Sequence, residues 1–120
     1  MAKKQKISPR LRVMAEYASS GIWVVEPIGP FRHGMIEHQT LGLSSELAQR
    51  FDDWITEYTS PLENPGHPLD VASFNATGRA LAVELKRFLG PGYQVEYLPE
   101  KEDGSLGVAE SITGGGEFQQ

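Results

Sequence analysis

The 120-residue chain contains no cysteine, which excludes a disulfide framework, a thiolate zinc site and a cysteine nucleophile. It also lacks any apolar run near the ~18–20 residues of a membrane-spanning helix, so no membrane partner is expected. The opening MAKKQKISPR has the charge of a secretory leader, but no apolar h-region follows it. A cytoplasmic protein is the expectation. There is no Gly-x-Ser-x-Gly elbow. The glycines form no phosphate-cradling pattern, since Gly90-Pro91-Gly92 reads as a helix stop and Gly114-Gly115-Gly116 lies near the C-terminus.

Convergent chemistry is scarce as well. His33, His38 and His67 are not at metal-ligand spacing, and the only local His/Glu cluster is His33, Glu37 and His38. Strand alternation over that stretch would put Glu37 and His38 on opposite faces. Asp52 and Asp53 are neighbours on a predicted helix, so they diverge by ~100° and cannot act as a carboxylate pair. No catalytic set, no metal site and no cofactor is expected, and the chain does not read as an enzyme.

Charge divides the chain into three. Residues 1–12 hold five cations and no acid, residues 13–98 hold eleven acids against five cations, and residues 99–120 hold five acids against Lys101. An acidic body repels phosphates, and no aromatic–basic stripe offsets it, so nucleic acid is not the expected partner. The division predicts a basic disordered arm over 1–9, a single domain over 10–98, and an acidic, glycine-containing tail over 99–120, mostly disordered. Leu106 and Val108 are the candidates for a short edge strand within that tail.

The apolar pattern then places the elements. Leu11, Val13, Ala15 and Tyr17 alternate with polar residues, the period of a strand with one buried face. Ala18-Ser19-Ser20-Gly21 is a turn cluster in which Gly21 can supply positive φ. Ile22-Trp23-Val24-Val25-Glu26 closes a hairpin. If Val25 follows the face of Tyr17, Trp23 lies on the buried face and Ile22 and Val24 point away. A loop rich in proline and glycine follows, and Met35–Leu41 is a candidate third strand.

A helix is expected from Ser44 or Ser45, with Leu47, Phe51, Trp54, Ile55 and Tyr58 on one face. Glu46, Arg50, Asp53 and Glu57 form its solvated face, with Glu46–Arg50 as an i,i+4 ion pair. This helix should stop before Pro61. A second helix starts at an Asp70 cap and buries Phe74, Gly78, Leu81, Ala82, Leu85, Phe88 and Leu89. Lys86 and Arg87 suit its last turn, and Gly90 and Pro91 end it. Gly78 in mid-helix costs ~1 kcal/mol relative to alanine, which predicts a close approach there. Tyr93, Val95 and Tyr97 form a final strand. The fold class is therefore α+β, a small, mostly antiparallel sheet with two helices on one face in the order β-β-(β)-α-α-β.

Two stretches carry a resemblance over residues 10–98. They are Leu11-Arg12-Val13-Met14-Ala15-Glu16-Tyr17 with Ser20-Gly21-Ile22-Trp23, and Phe74-Asn75 through Gly78-Arg79-Ala80-Leu81-Ala82 to Leu89-Gly90 and Tyr93-Val95-Tyr97. They resemble small bacterial proteins similar to the immunity proteins that accompany polymorphic or contact-dependent toxins. The resemblance implies a small intracellular binding protein that occludes a toxin domain, with a protein as its partner. It carries over no functional residue.

From the residues themselves, the candidate partner contacts are Phe31, which has no periodic reason to sit in its loop, and the carboxylates Asp53, Glu57 and Glu63. The latter would stand in for phosphates against a nuclease or nucleotide enzyme. The competing expectations are a small enzyme or ligand-binding domain using residues 31–38, and a phage- or plasmid-encoded modulator of a host complex.

Overall fold

A computed structural model describes residues 9–16, 18–26, 34–63, 66, 69–101 and 107–112, with side chains for all of these except 61–63. The elements in chain order are β1 (Arg10–Val13), β2 (Ile22–Glu26), β3 (Gly34–Met35), α1 (Ser45–Glu63), α2 (Val71–Leu89), a 3₁₀ turn at Gly90–Gly92, β4 (Gln94–Tyr97) and β5 (Glu110–Ile112). The strands form one five-stranded sheet in the order β3-β2-β1-β4-β5. All neighbours are antiparallel except the central pair β1 and β4, which are parallel. A parallel neighbour needs a crossover, and α1 and α2 supply it across one face of the sheet. The expected α+β arrangement of two helices on a mostly antiparallel sheet is thus formed.

The β1–β2 hairpin turns through Gly21 at φ +83°. A Cβ there would lie 3.2 Å from Phe51 Cδ1, so glycine meets both a backbone need and a packing need. The expected side-chain sense of β2 is corrected. Val13 pairs with Ile22 and Leu11 with Val24, and cross-strand partners share a face. Ile22 and Val24 are accordingly buried, while Trp23 and Val25 sit half-buried on the opposite face. Tyr17, from which the opposite sense was projected, lies outside the described residues. A register shift between Arg10 and Leu11 is the local irregularity of this hairpin.

Three element boundaries also move. β3 is two residues long rather than a strand to Leu41, because the chain folds back on itself. Thr40, Leu41 and Gly42 donate to the carbonyls of Glu37, His38 and Gln39, three residues behind each. α1 runs through Pro61 to Glu63. Proline's fixed φ is itself helical, and two residues from the helix end its missing N–H removes a single intrahelical bond. In the C-terminal segment the edge strand is Glu110–Ile112, two residues beyond Val108, which is exposed. Leu106 lies outside the described residues, as do residues 1–8, 27–33 and 113–120.

The core lies between the sheet and the helices. Leu11, Val13, Ile22, Val24, Val95 and Tyr97 meet Leu47, Phe51, Trp54 and Ile55 of α1 and Phe74, Leu81, Ala82 and Leu85 of α2. Trp54 stacks on Phe74 at 4.7 Å and donates its indole N–H to the Phe74 carbonyl at 3.1 Å. Gly78 is where the two helices and the sheet come closest. A Cβ at this position would fall 2.5 Å from the Tyr97 ring and 2.6 Å from Trp54 Cζ2, so the expected close approach is present. Beside it the Tyr97 hydroxyl donates to Asn75 Oδ1 at 2.7 Å, and Asn75 ties down both the N–H and the C=O of Glu100. That network satisfies the buried polar groups that would otherwise oppose folding.

Candidate functional site

The described surface has two regions that the core does not explain, and both involve α1. One is its outer face. Asp52, Asp53 and Glu57 are all exposed there. Asp53 accepts from the Gln49 side chain at 2.9 Å. Among the described residues, no acid of α1 makes an ion pair. Over its whole length α1 carries five carboxylates against Arg50 alone, and its last turn has no cation. Like charges at Asp53 and Glu57, one turn apart, repel, and carboxylates in the C-terminal half oppose the helix dipole. This charge arrangement works against helix stability.

Two further carboxylates extend the acidic character past the helix. Burial raises the Tyr58 hydroxyl above its ordinary value, and the charges of Glu100 and Glu16 raise it further. The Glu100 carboxyl is itself raised, by burial first and then by Glu16.

The second region is a cleft of about 370 Å³ between the first turns of α1 and the last turns of α2. Ser44 stands at its edge, where its hydroxyl accepts from the Leu47 N–H as a helix cap. The other lining residues are Glu46, Leu47, Arg50, Glu84, Arg87 and Phe88. Two expectations fail here. Phe88 is 46% exposed rather than buried, because it faces the cleft, while the next residue, Leu89, packs against the core. The Glu46–Arg50 ion pair is not formed, and both side chains line the cleft instead.

Among the sequence-predicted contacts, Asp53 and Glu57 fall together on the exposed face of α1, with Asp52 beside them. Phe31 and the Glu63 side chain lie outside the described residues. So do His33 and His67. His38 is engaged structurally: its Nε2–H donates to the Ser20 carbonyl at 2.8 Å, and its ring leans on Phe51 at 5.7 Å. Glu37 is exposed in the adjoining turn. Among the described residues no three His, Cys, Asp or Glu side chains are grouped to hold a metal ion. No helix among them is long and apolar enough to cross a membrane.

The charged residues on the outer face of α2 are engaged by the rest of the chain. Arg79 makes a two-pronged pair with Glu110 of β5, both bonds 2.8 Å, and its guanidinium sits 5.6 Å from the Tyr97 ring centroid. Glu110 is lowered from the ordinary carboxylate value chiefly by that hydrogen-bonded pair. Lys86 donates to the Tyr93 carbonyl at 2.6 Å and reaches the Gly90 carbonyl at 3.4 Å, closing the C-terminal end of α2. Helical spacing alone contains no sign of either partner, since both come from beyond the helix.

No curated protein matches the chain. A family model described as Serratia CdiI immunity protein-like matches residues 9–100, from the start of β1 to just past β4. The match takes in the whole described helical layer, including the acidic face of α1 and the cleft at its end. On that match, the chain belongs to the Serratia CdiI immunity protein-like family of contact-dependent inhibition immunity proteins.

Proposed function

We infer that the protein neutralises a toxin domain by stoichiometric binding in the cytoplasm, without catalysis, and that the outer face of α1 is the surface that meets the toxin. The observation that carries this reading is the row of exposed carboxylates Asp52, Asp53 and Glu57, which no cation of the described chain pairs. A protein keeps such a row at some expense in helix stability. Meeting a basic partner surface reverses the sign of that expense, because carboxylates held ready and solvated gain charge-assisted contacts on docking. A toxin that acts on nucleic acid or nucleotides has a basic cleft for its substrate, and this face would occupy it in the substrate's place. Phe31 and Glu63 are proposed as further contacts.

The test is growth protection in cells that express the cognate toxin domain. Protection should survive His38→Ala and Glu37→Ala, because an interface spreads its energy over many contacts whereas an enzyme depends on single groups. It should be lost when Asp52, Asp53 and Glu57 are all replaced by lysine in a chain that still folds. Loss of protection from Glu37→Ala in a folded protein would favour a catalytic or ligand site and contradict the reading.

A further inference from the structure

The cleft at the end of the helical layer combines features that the acidic face does not use. Phe88 presents an aromatic ring to water on a helix whose other periodic apolar residues are buried or half-buried. On the α2 wall, Glu84 and Arg87 satisfy each other at 3.1 Å. On the α1 wall, Glu46 and Arg50 stand one turn apart at a spacing where opposite charges attract, yet neither pairs with the other or with any other described residue. The cleft thus offers an open carboxylate, an open guanidinium and an open aromatic face around the buried Leu47.

We propose that this cleft is the anchor site for a tyrosine side chain of the toxin partner. The proposal rests on the reading of α1 as the toxin-facing helix and names the group its N-terminal end receives. Charge balance decides among the occupants. A lysine or arginine drawn to Glu46 meets Arg50 and Arg87, and a carboxylate drawn to Arg50 meets Glu46 and Glu84. An aliphatic side chain would cover both charged groups and give them no partner, a costly form of burial. A phenol hydroxyl is at once a donor and an acceptor. It can donate to the Glu46 carboxylate and accept from the Arg50 guanidinium while its ring lies against Phe88 in an offset or edge-on contact. Tyrosine is also among the residues that most often dominate interface energies.

The experiment has two arms. In the first, calorimetry measures binding of the cognate toxin domain to the full chain and its variants. Phe88→Ala should weaken binding about 30-fold, the scale of an interface hot spot, while Phe88→Trp keeps the aromatic wall and stays within a few-fold. Phe88 is exposed, so an unchanged melting temperature separates lost contact from lost fold. In the second, p-cresol and toluene are titrated into the ¹⁵N-labelled free protein. p-Cresol should shift the amides of Leu47, Arg50, Arg87 and Phe88 saturably and bind about tenfold more tightly than toluene, the difference being its hydroxyl contacts. If lysines at Asp53 and Glu57 weaken toxin binding but Phe88→Ala does not, the anchor site is overturned and the acidic-face reading stands. If the wild-type chain does not bind the toxin domain, both fall. p-Cresol that shifts nothing in the cleft, or binds no better than toluene, overturns the tyrosine assignment.

Discussion

The two helices have equal length, 19 residues each, and bury their inner faces against the same sheet, yet their outer faces follow opposite rules. On α2 every charged residue has a task within the chain. Arg79 holds β5 through Glu110, Lys86 closes the C-terminal turn, and Arg87 pairs with Glu84. Lys86 and Arg87 also sit in the last turn, where cations suit the helix dipole. On α1 the exposed carboxylates pair with no cation among the described residues, the last turn carries no basic residue, and Asp53 and Glu57 repel each other one turn apart. One helix carries charges placed to hold the fold. The other carries charges that no described residue of the fold uses, and that contrast is what supports reading α1 as the partner-facing helix.

The contrast is sharpest in the response to mutation. Leu81→Ala, at a fully buried position of α2, should cost about 2–5 kcal/mol in chemical denaturation. Gly78→Ala should cost about 2 kcal/mol, although alanine is the better helix former by ~1 kcal/mol, because the added methyl meets the buried rings of Tyr97 and Trp54. A neutral or stabilising Gly78→Ala would show that the helical layer is looser than described. Arg79→Ala and Lys86→Ala should each cost about 1 kcal/mol, being partly exposed groups with good hydrogen-bond geometry. Arg79→Ala should also speed amide exchange at Ser111 and Ile112. Asp53→Asn or Glu57→Gln on α1 should change stability by less than about 0.5 kcal/mol, and in the stabilising direction, since each removes a repulsion. Equal losses from α1 and α2 charge removal would erase the distinction.

The smallest effect is in acid, where two carboxyls move in opposite senses. Glu110 is depressed by its pair with Arg79. Its contribution to stability is complete above the ordinary carboxylate value and is lost as pH falls through the depressed one. Glu100 is raised by burial and by Glu16, so its ionised form burdens the fold at neutral pH, and that burden lifts as pH falls through the raised value. Carboxyl ¹³C titration should place the Glu100 midpoint above that of Glu110.

Much of this was legible in the residues because several local signals agreed. For α2, the Asp70 cap, the Phe74–Leu81–Leu85 row and the Gly90 stop all indicate one helix, and the structure forms it with Asp70 accepting from the Ser73 N–H at 3.1 Å. For α1, the face from Leu47 to Tyr58 was equally plain. What escaped depended on partners far away in sequence. Both faces of β2 are apolar, so alternation alone could not choose between Trp23 and Val24, and only the pairing of Leu11 with Val24 decides it. Helical periodicity admits both Phe88 and Leu89 to the inner face and does not show that only Leu89 packs against the core. The Arg79–Glu110 clamp spans 31 residues and the Lys86–Tyr93 bond crosses the end of the helix, so neither leaves a mark at helical spacing. The acidic row on α1 was visible as composition. That no cation among the described residues pairs with it became visible only once the chain was folded.

The most direct measurement is the affinity of the cognate toxin domain for the wild-type chain and for the Asp52→Lys, Asp53→Lys, Glu57→Lys triple variant, each at 50 mM and 300 mM salt. If α1 is the toxin-facing surface, the wild-type affinity falls steeply with salt, as expected for exposed charges read by an oppositely charged partner. The lysine variant should then bind at least about 100-fold more weakly at low salt, with its salt dependence flattened or reversed, while its melting temperature stays at or above that of the wild type. Equal affinities for the two chains at both salt concentrations would contradict the assignment of α1 as the binding face.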